Sequence, residues 1–401
     1  MKDIPKHETL RQEGSFWTYS LRPGLDKRAK TMGKVAIYAI NPGPANALLP
    51  LADRLSNLGS EVILKLDEPA KSKALRMFVD RLDSVSPYPN DVTTAVTCGH
   101  IDISRVTKDI MSLRSTSPNA KIITVDDNFD TSLPLIEALD GVGMLPDVAF
   151  IMNKKRKTEI ERRFKIKKPQ LQAIVVNNPS FSHFYDHNRN ISAEKKRMRA
   201  MFSIKEDVIL IGYFAPAEGD YPVENGIGHN DLVLNLLRQV LQNSKKKIGV
   251  LYRPHTRGTD YLPGQLLNLP ENIQVIYHPR EWWNQRNITL HNQLIFCDIV
   301  QATNSTLLAE MFTAWGNRLT PIAIPVNILL TEHYTKLPIN SSLMRHRLSH
   351  NIQSANQFMD DYPKIIESPE QYKPINAPQR LKDFGWEDNP LEKMVSVLTK
   401  I

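Results

Sequence analysis

Cysteine is almost missing from this chain: Cys98 and Cys297 are the two among 401 residues, and each closes an apolar run. That scarcity excludes a small disulfide-stapled scaffold, and both thiols read as small buried hydrophobes in a reducing compartment. Long apolar runs are missing too. Nothing approaches the roughly 20 residues that cross a bilayer, and residues 1–14 lack the apolar segment of a secretory signal. The chain is therefore expected to be made and kept in the cytoplasm. His183, His187 and His229 are scattered without metal-ligand spacing, so no metal site is predicted. Neither an RNA- or DNA-binding signature, nor G-x-G-x-x-G, nor a P-loop, nor a short-period repeat occurs.

What is present is an ordinary globular composition, 41% hydrophobic and 23% charged, over a length that suggests two or three domains. The net charge of +8 is concentrated. Residues 154–168 hold nine basic and two acidic side chains, and Lys195, Lys196, Arg197 and Arg199 form a second cluster. The first run is either a solvated helix face or a contact for an anionic membrane surface. No specific nucleic-acid partner is predicted.

Residues 1–33 lack periodicity and read as an N-terminal arm. A β-run over 34–40 ends in a Pro- and Gly-rich turn at 41–46. Leu48, Leu51, Ala52, Leu55 and Leu58 then recur at helical spacing before Gly59, a helix stop. Strands follow at 61–66, 92–98, 121–125, 148–152 and 173–176, separated by helical or mixed segments. A polar, basic linker with a connecting helix occupies 179–206. The second series has strands at 208–213, 248–252, 273–277, 294–300 and 320–324, with helices at 231–242 and 305–315. Beyond 327 the pattern is irregular until an amphipathic helix at 391–398. Unbroken apolar strands alternating with helices imply parallel sheets covered on both faces. The expected fold class is α/β, with two Rossmann-like parallel-sheet domains facing a cleft.

In open parallel sheets, ligands sit outside the carboxyl ends of the strands. The most informative strand end lies in 297–316. A buried strand stops at Thr303-Asn304, and Ser305 and Thr306 open the next helix. These side chains can cap that helix, and its exposed N–H groups and positive dipole end suit a phosphate. Glu310 lies four residues past Thr306 on the same helical face and can accept hydrogen bonds from two ribose hydroxyls. Simple capping with a solvated Glu310 accounts for the same residues. Arg253 and His255 end another strand and suit phosphate oxygens, or a structural ion pair. The loop 215–230 carries Gly219, Gly226 and Gly228, which let backbone approach a ligand closely. In the first half, His100, Asp102, Asp126 and Asp127 follow strand ends. Each can act as a general base toward an acceptor hydroxyl, or as a cap or turn residue.

Together these elements resemble the GT-B fold of nucleotide-sugar glycosyltransferases and non-hydrolysing UDP-N-acetylglucosamine 2-epimerases, over roughly residues 34–400. Pro50 to Gly59 is similar to that family's P-x-x-x-x-L-x-x-x-G, and Val176-Asn177-Asn178-Pro179 to its V-x-G-N-P. Arg253-Pro254-His255 is similar to its K/R-P-H-P strand end. Asp298 through Ser305, Thr306 and Glu310 resemble its donor segment, which runs from an Asp to S-T/S-x-x-x-E. The resemblance implies an acceptor domain at 34–190, a donor domain at 191–388, and a C-terminal helix at 389–401 crossing back onto the first. It implies that Asn304, Ser305 and Thr306 hold a diphosphate, with Glu310 on the ribose and Arg253 and His255 lining the pocket. The loop with Gly219 and Gly228 would close over a UDP-linked donor, which is substrate, with no further cofactor. The base would be His100, Asp102, Asp126 or Asp127.

Two departures matter. Retaining members often carry a second Glu eight residues before the ribose Glu, and Ala302 stands there. The epimerase H-x-E-A-G is replaced by Thr124-Val125-Asp126-Asp127-Asn128. The expectation is a metal-independent inverting glycosyltransferase acting on a glycan or lipid-linked acceptor, as in surface polysaccharide or glycolipid synthesis. Residues 154–168 would hold it at the inner face of the membrane. A 2-epimerase-like or glycerophosphotransferase-like enzyme of the same fold, and a non-catalytic nucleotide-binding scaffold or sensor, are the alternatives.

Overall fold

The computed structural model describes residues 17–22, 33–39, 42–78, 80–84, 90–98, 103–126, 132–179, 190–216, 228–255, 258–303, 305, 307–308, 311, 323–330, 347–373, 379–380 and 389–400. The chain divides into two compact units, 1–182 with 385–401, and 183–384.

The first unit is built on β1 (Trp17–Leu21), β2 (Lys34–Ala39), β3 (Glu61–Leu66), β4 (Leu82–Ser84), β5 (Thr94–Cys98), β6 (Lys121–Val125), β7 (Val148–Ile151) and β8 (Gln172–Val175). In space they run β4-β1-β3-β2-β5-β6-β7-β8. Every pairing from β3 to β8 is parallel, and β1 lies antiparallel between β3 and β4. Val35, Ile37 and Ala39 pack on one face with Leu48, Leu51 and Leu55 of α1 (Pro42–Asn57). Ala36 and Tyr38 pack on the other with Val106, Ile110 and Leu113 of α3 (Ile103–Thr116). Two buried faces explain why the strand carries no polar alternation. Among the described residues three further helices cover the sheet: α2 (Glu68–Met77), α4 (Ser132–Gly141) and α5 (Lys154–Phe164). Gly59 closes α1 with φ of 90°, a backbone that an L side chain resists.

Two expectations change here. Residues 17–21 are a strand, not an arm: Tyr19 and Leu21 point into the core while Ser20 alternates outward, and the strand covers the flank of β3. The Pro- and Gly-rich stretch at 42–46 is the first turn of α1, where missing N–H groups cost nothing.

The second unit has an all-parallel sheet of β9 (Ile209–Phe214), β10 (Ile248–Arg253), β11 (Ile273–Ile276), β12 (Ile299–Ala302), β13 (Ile324–Ile328) and β14 (His350–Ile352), ordered β11-β10-β9-β12-β13-β14. Its helices are α6 (Ile191–Met201), α7 (His229–Asn243), α8 (Arg280–Gln285), α9 (Leu290–Phe296) and α10 (Ala355–Glu367). The strand expected at 294–300 is two elements. A capping box between Thr289 and Asn292 starts α9, and β12 begins only at Ile299. Residues 293–296 are buried all round, so their composition reads equally as strand or helix. The strand expected at 320–324 is β13, at Ile324–Ile328. The stretch beyond 327 is not irregular throughout. It supplies β14 and α10, whose Phe358, Tyr362, Ile365 and Ile366 bury one stripe and whose interior Pro363 disguises the helix.

Lys195 and Arg199 of α6 are spent inside this unit. Asp298 accepts from Lys195 Nζ at 2.7 Å, from Arg199 Nη1 at 3.0 Å and from the Leu210 N–H at 2.8 Å. Gly212 on β9 allows the end of α9 to approach, since a Cβ there would lie 2.6 Å from Cys297 Sγ. The last helix, α11 (Pro390–Leu398), belongs to the first unit. Its Met394, Val395 and Leu398 join the core beside α1, and its Glu392 pairs with Arg54 at 2.7 Å. Among the described residues no helix is long and apolar enough to cross a membrane.

Candidate functional site

The strand order of the second unit fixes where a ligand belongs. The chain lays β10 and β11 on one side of β9, then β12, β13 and β14 on the other. In open parallel sheets such a reversal, here between β9 and β12, marks where ligands sit, outside the carboxyl ends of the strands. Register places three residues on one rung at that edge: Arg253 is opposite Phe214, and Phe214 is opposite Ala302. Neighbouring strands lie about 4.8 Å apart, so the Arg253 and Ala302 backbones are about 10 Å apart across β9. Ser305 follows three residues beyond Ala302 on the same edge.

Arg253 is the unusual group. Its Nη1 is buried and has no hydrogen-bond partner among the described residues. Burial pulls the guanidinium down to about 10. Arg280 adds repulsion, and Asp260 opposes both. The guanidinium is still charged at neutral pH. Asp260 does not neutralise it, because that carboxylate is engaged elsewhere. It accepts from the Arg280 N–H at 2.8 Å and from Tyr277 Oη at 3.2 Å, and lies 3.5 Å from Arg280 Nε. Arg280 Nη2 also donates to the Gly258 carbonyl at 2.8 Å. Two guanidinium groups thus share one carboxylate. A largely desolvated cation that only shares a carboxylate is costly, and an anion at this edge would relieve it.

The start of α7 adds a second cationic feature. Gly228 is the N-cap, with extended φ of −67° and ψ of 147° and no side chain to cap the turn. His229 is buried, and its Nε2 accepts from the Leu330 N–H at 3.5 Å, which ties the helix start to the end of β13. Tyr213 Oη donates to Asn230 Oδ1 at 2.6 Å. Tyr252, stacked on Tyr213 with ring centres 5.8 Å apart, is pushed up to about 12, chiefly by burial. The helix is 15 residues long, so its dipole end suits an anion. Ser305 Oγ accepts from the Leu307 N–H at 3.3 Å, the capping role its position predicts.

Comparison with known proteins follows the same geometry. No protein-family model matches the sequence, and no curated protein does. Solved structures do match. The UDP-GlcNAc 2-epimerase of Neisseria meningitidis bound to UDP-GlcNAc superposes with a TM-score of 0.61 at 12% identity, covering 92% of this chain and 100% of that one. MurG of Acinetobacter baumannii gives 0.54 at 10% identity over 92% and 99%. A glycosyltransferase of Rickettsia africae gives 0.52 at 12% over 92% and 98%. The chain has the GT-B fold. Both halves of this GT-B protein are Rossmann-like, each with a parallel-dominated sheet between helical layers.

Within the GT-B fold, the structure brings Gly228, Arg253, His255 and Ser305 to the carboxyl edge of the second sheet. Gly219, Asn304, Thr306 and Glu310 lie outside the described residues. Asp298, which the resemblance puts at the head of the donor segment, stands at the amino edge of β12, with its oxygens bonded to Lys195, Arg199 and Leu210. In the first unit, Asp126 is buried. Its Oδ1 accepts from the Ser132 N–H at 2.7 Å and its Oδ2 from the Met152 N–H at 2.9 Å. That bonding braces the start of α4 against the end of β7. His100, Asp102 and Asp127 lie outside the described residues.

Asp260, Tyr277 and Arg280 were not singled out from sequence, although a signal exists. Adjacent parallel strands β10 and β11 run into Tyr252-Arg253-Pro254-His255 and Tyr277-His278-Pro279-Arg280. The same Tyr-x-Pro frame recurs with Arg and His exchanged, which marks two cationic strand ends side by side.

Proposed function

We propose that this GT-B protein is an inverting glycosyltransferase that moves a sugar from a nucleotide-diphosphate donor to an acceptor hydroxyl. The observation that carries the reading is the half-buried Arg253 guanidinium at the switch point of the second sheet, whose Nη1 is buried without a hydrogen-bond partner among the described residues. The diphosphate would sit between Arg253, the first amides of α7 and Ser305, with Glu310 on the ribose. The acceptor oxygen attacks the anomeric carbon while a base takes its proton, and the bond from that carbon to the β-phosphate oxygen breaks. Arg253 and the helix amides stabilise the charge on the departing nucleoside diphosphate without reorganising.

The inverting outcome is supported by Ala302, which leaves no carboxylate where the resemblance puts the second Glu of retaining members. The base is proposed among His100, Asp102 and Asp127. Asp126 is the weakest candidate, since both its oxygens already serve backbone amides. A UDP-linked donor is supported by the UDP-GlcNAc held in the Neisseria meningitidis neighbour. The acceptor is proposed to be a glycan or a lipid-linked sugar.

The test is product analysis with a panel of nucleotide sugars, with and without hydroxyl acceptors. The reading expects acceptor-dependent release of nucleoside diphosphate and a product of inverted anomeric configuration. An isomerised nucleotide sugar formed without acceptor would replace it with epimerase chemistry, which the neighbour of TM-score 0.61 favours as the second reading. Release of nucleoside monophosphate would indicate transfer of a phosphate-bearing group. Nucleotide binding without turnover would leave a scaffold or sensor.

A further inference from the structure

The face formed by α5 and the turn behind it has no part in the sugar-transfer reading. Asn153 caps α5 by accepting from the Arg156 N–H at 2.8 Å, and Ile160 and Phe164 bury its inner stripe. Lys155, Thr158 and Arg162 recur at helical spacing on the exposed face. Just past the helix, Ile166 is 88% exposed, between Lys165 and Lys167. A cavity of about 630 Å³ opens beside it, lined by Arg114, Gly143, Met144, Leu145, Lys168 and Gln170 among others. Val142, also exposed, lies in the turn that supplies the cavity's Gly143 and Met144.

Charge at this face is strongly one-signed. The nine cations of 154–168, with Arg114 and Lys121, stand against five carboxylates: Glu137, Asp140, Asp147, Glu159 and Glu161. Those carboxylates are taken by Arg163, Lys165, Lys167, Lys168 and Arg156. Lys155, Lys157 and Arg162 have no carboxylate partner among the described residues. Surplus cations along α5 and an exposed aliphatic side chain just past its end match the layered chemistry of an anionic bilayer, with phosphates outside and hydrocarbon beneath. Duplex nucleic acid offers the phosphates but no hydrocarbon layer for Ile166. A protein partner would need a wider apolar patch than Ile166 and Val142 provide.

We propose that this face docks the protein on an anionic membrane surface. Ile166 enters the acyl boundary, Lys155 and Arg162 meet headgroup phosphates, and the cavity between Arg114 and Lys168 takes one headgroup. The inference is independent of the nucleotide reading and fails separately from it.

The test is co-sedimentation of the full chain with vesicles of phosphatidylcholine alone, or with about one-third phosphatidylglycerol. Binding to the anionic vesicles only, weakened by salt, is expected. Ile166→Ser should weaken it about tenfold, and Lys155→Gln and Arg162→Gln about fivefold each. None of the three should change the melting temperature or the affinity for UDP. Because Cys98 and Cys297 are buried, Ile166→Cys can carry an environment-sensitive dye at that single position. Its emission should shift to the blue on anionic vesicles. Absence of vesicle binding, binding indifferent to these substitutions, an unshifted dye, or displacement from vesicles by duplex DNA or RNA would each overturn the proposal.

Discussion

Replacing Arg253 with methionine should raise the melting temperature of the ligand-free protein and weaken its binding of a nucleoside diphosphate. The two effects share one cause. Burial pulls the guanidinium down to about 10 on folding, which works against the charged form by about 3 kcal/mol. Arg→Met keeps most of the aliphatic stem and removes the charge. After allowing for lost stem contacts, a gain of about 1–2 kcal/mol remains, or about 2–8 °C for a unit of this size. In the complex the balance reverses. A charge-assisted bond to a phosphate oxygen contributes about 1.5–3 kcal/mol, so affinity should fall about 10- to 150-fold. Scanning fluorimetry without ligand and calorimetry with UDP read the two quantities. A lower melting temperature with unchanged affinity would refute the reasoning and make Arg253 a structural brace.

Asp298→Asn should cost about 2–3 kcal/mol, because Lys195 and Arg199 lose their shared carboxylate. It should leave UDP affinity unchanged, since Asp298 lies at the amino edge of its strand; calorimetry checks both. Asp126→Ala should cost about 2–4 kcal/mol in denaturant unfolding by stranding the Ser132 and Met152 amides. Glu310→Ala should weaken UDP binding in titration calorimetry while the melting temperature holds. His278 is held below its ordinary value by burial and then by Arg286, and His350 by burial against an opposing Asp361. The folded state therefore refuses protons that the unfolded chain accepts. That stability is complete above about pH 6.5 and declines as pH falls below it, and His278→Gln should flatten the decline in unfolding curves.

The parallel sheets are legible in the sequence because strands buried on both faces leave unbroken apolar runs, as over 35–39 and 209–214. Elements that break this rule are not. β1 has one buried face and only five residues. Residues 293–296 of α9 are buried all round, so periodicity says nothing about them. α10 carries Pro363, and only the capping of Gln357 by Ser354 announces its start. The polar strand ends at 253–255 and 303–305 also stand out in sequence. Their shared rung does not, because it depends on the register of β10, β9 and β12. The Arg253–Asp260–Arg280 arrangement depends further on β11 lying beside β10, which no local pattern encodes.

The most direct measurement is the melting temperature of the wild-type chain with UDP against the same concentration of uridine. A ligand bound at about a hundredfold its dissociation constant stabilises by about 2.7 kcal/mol, or about 5–10 °C here. The account predicts that shift for UDP and almost none for uridine, because Arg253 and the start of α7 answer to the phosphates. Equal shifts, or no shift with either, would contradict it.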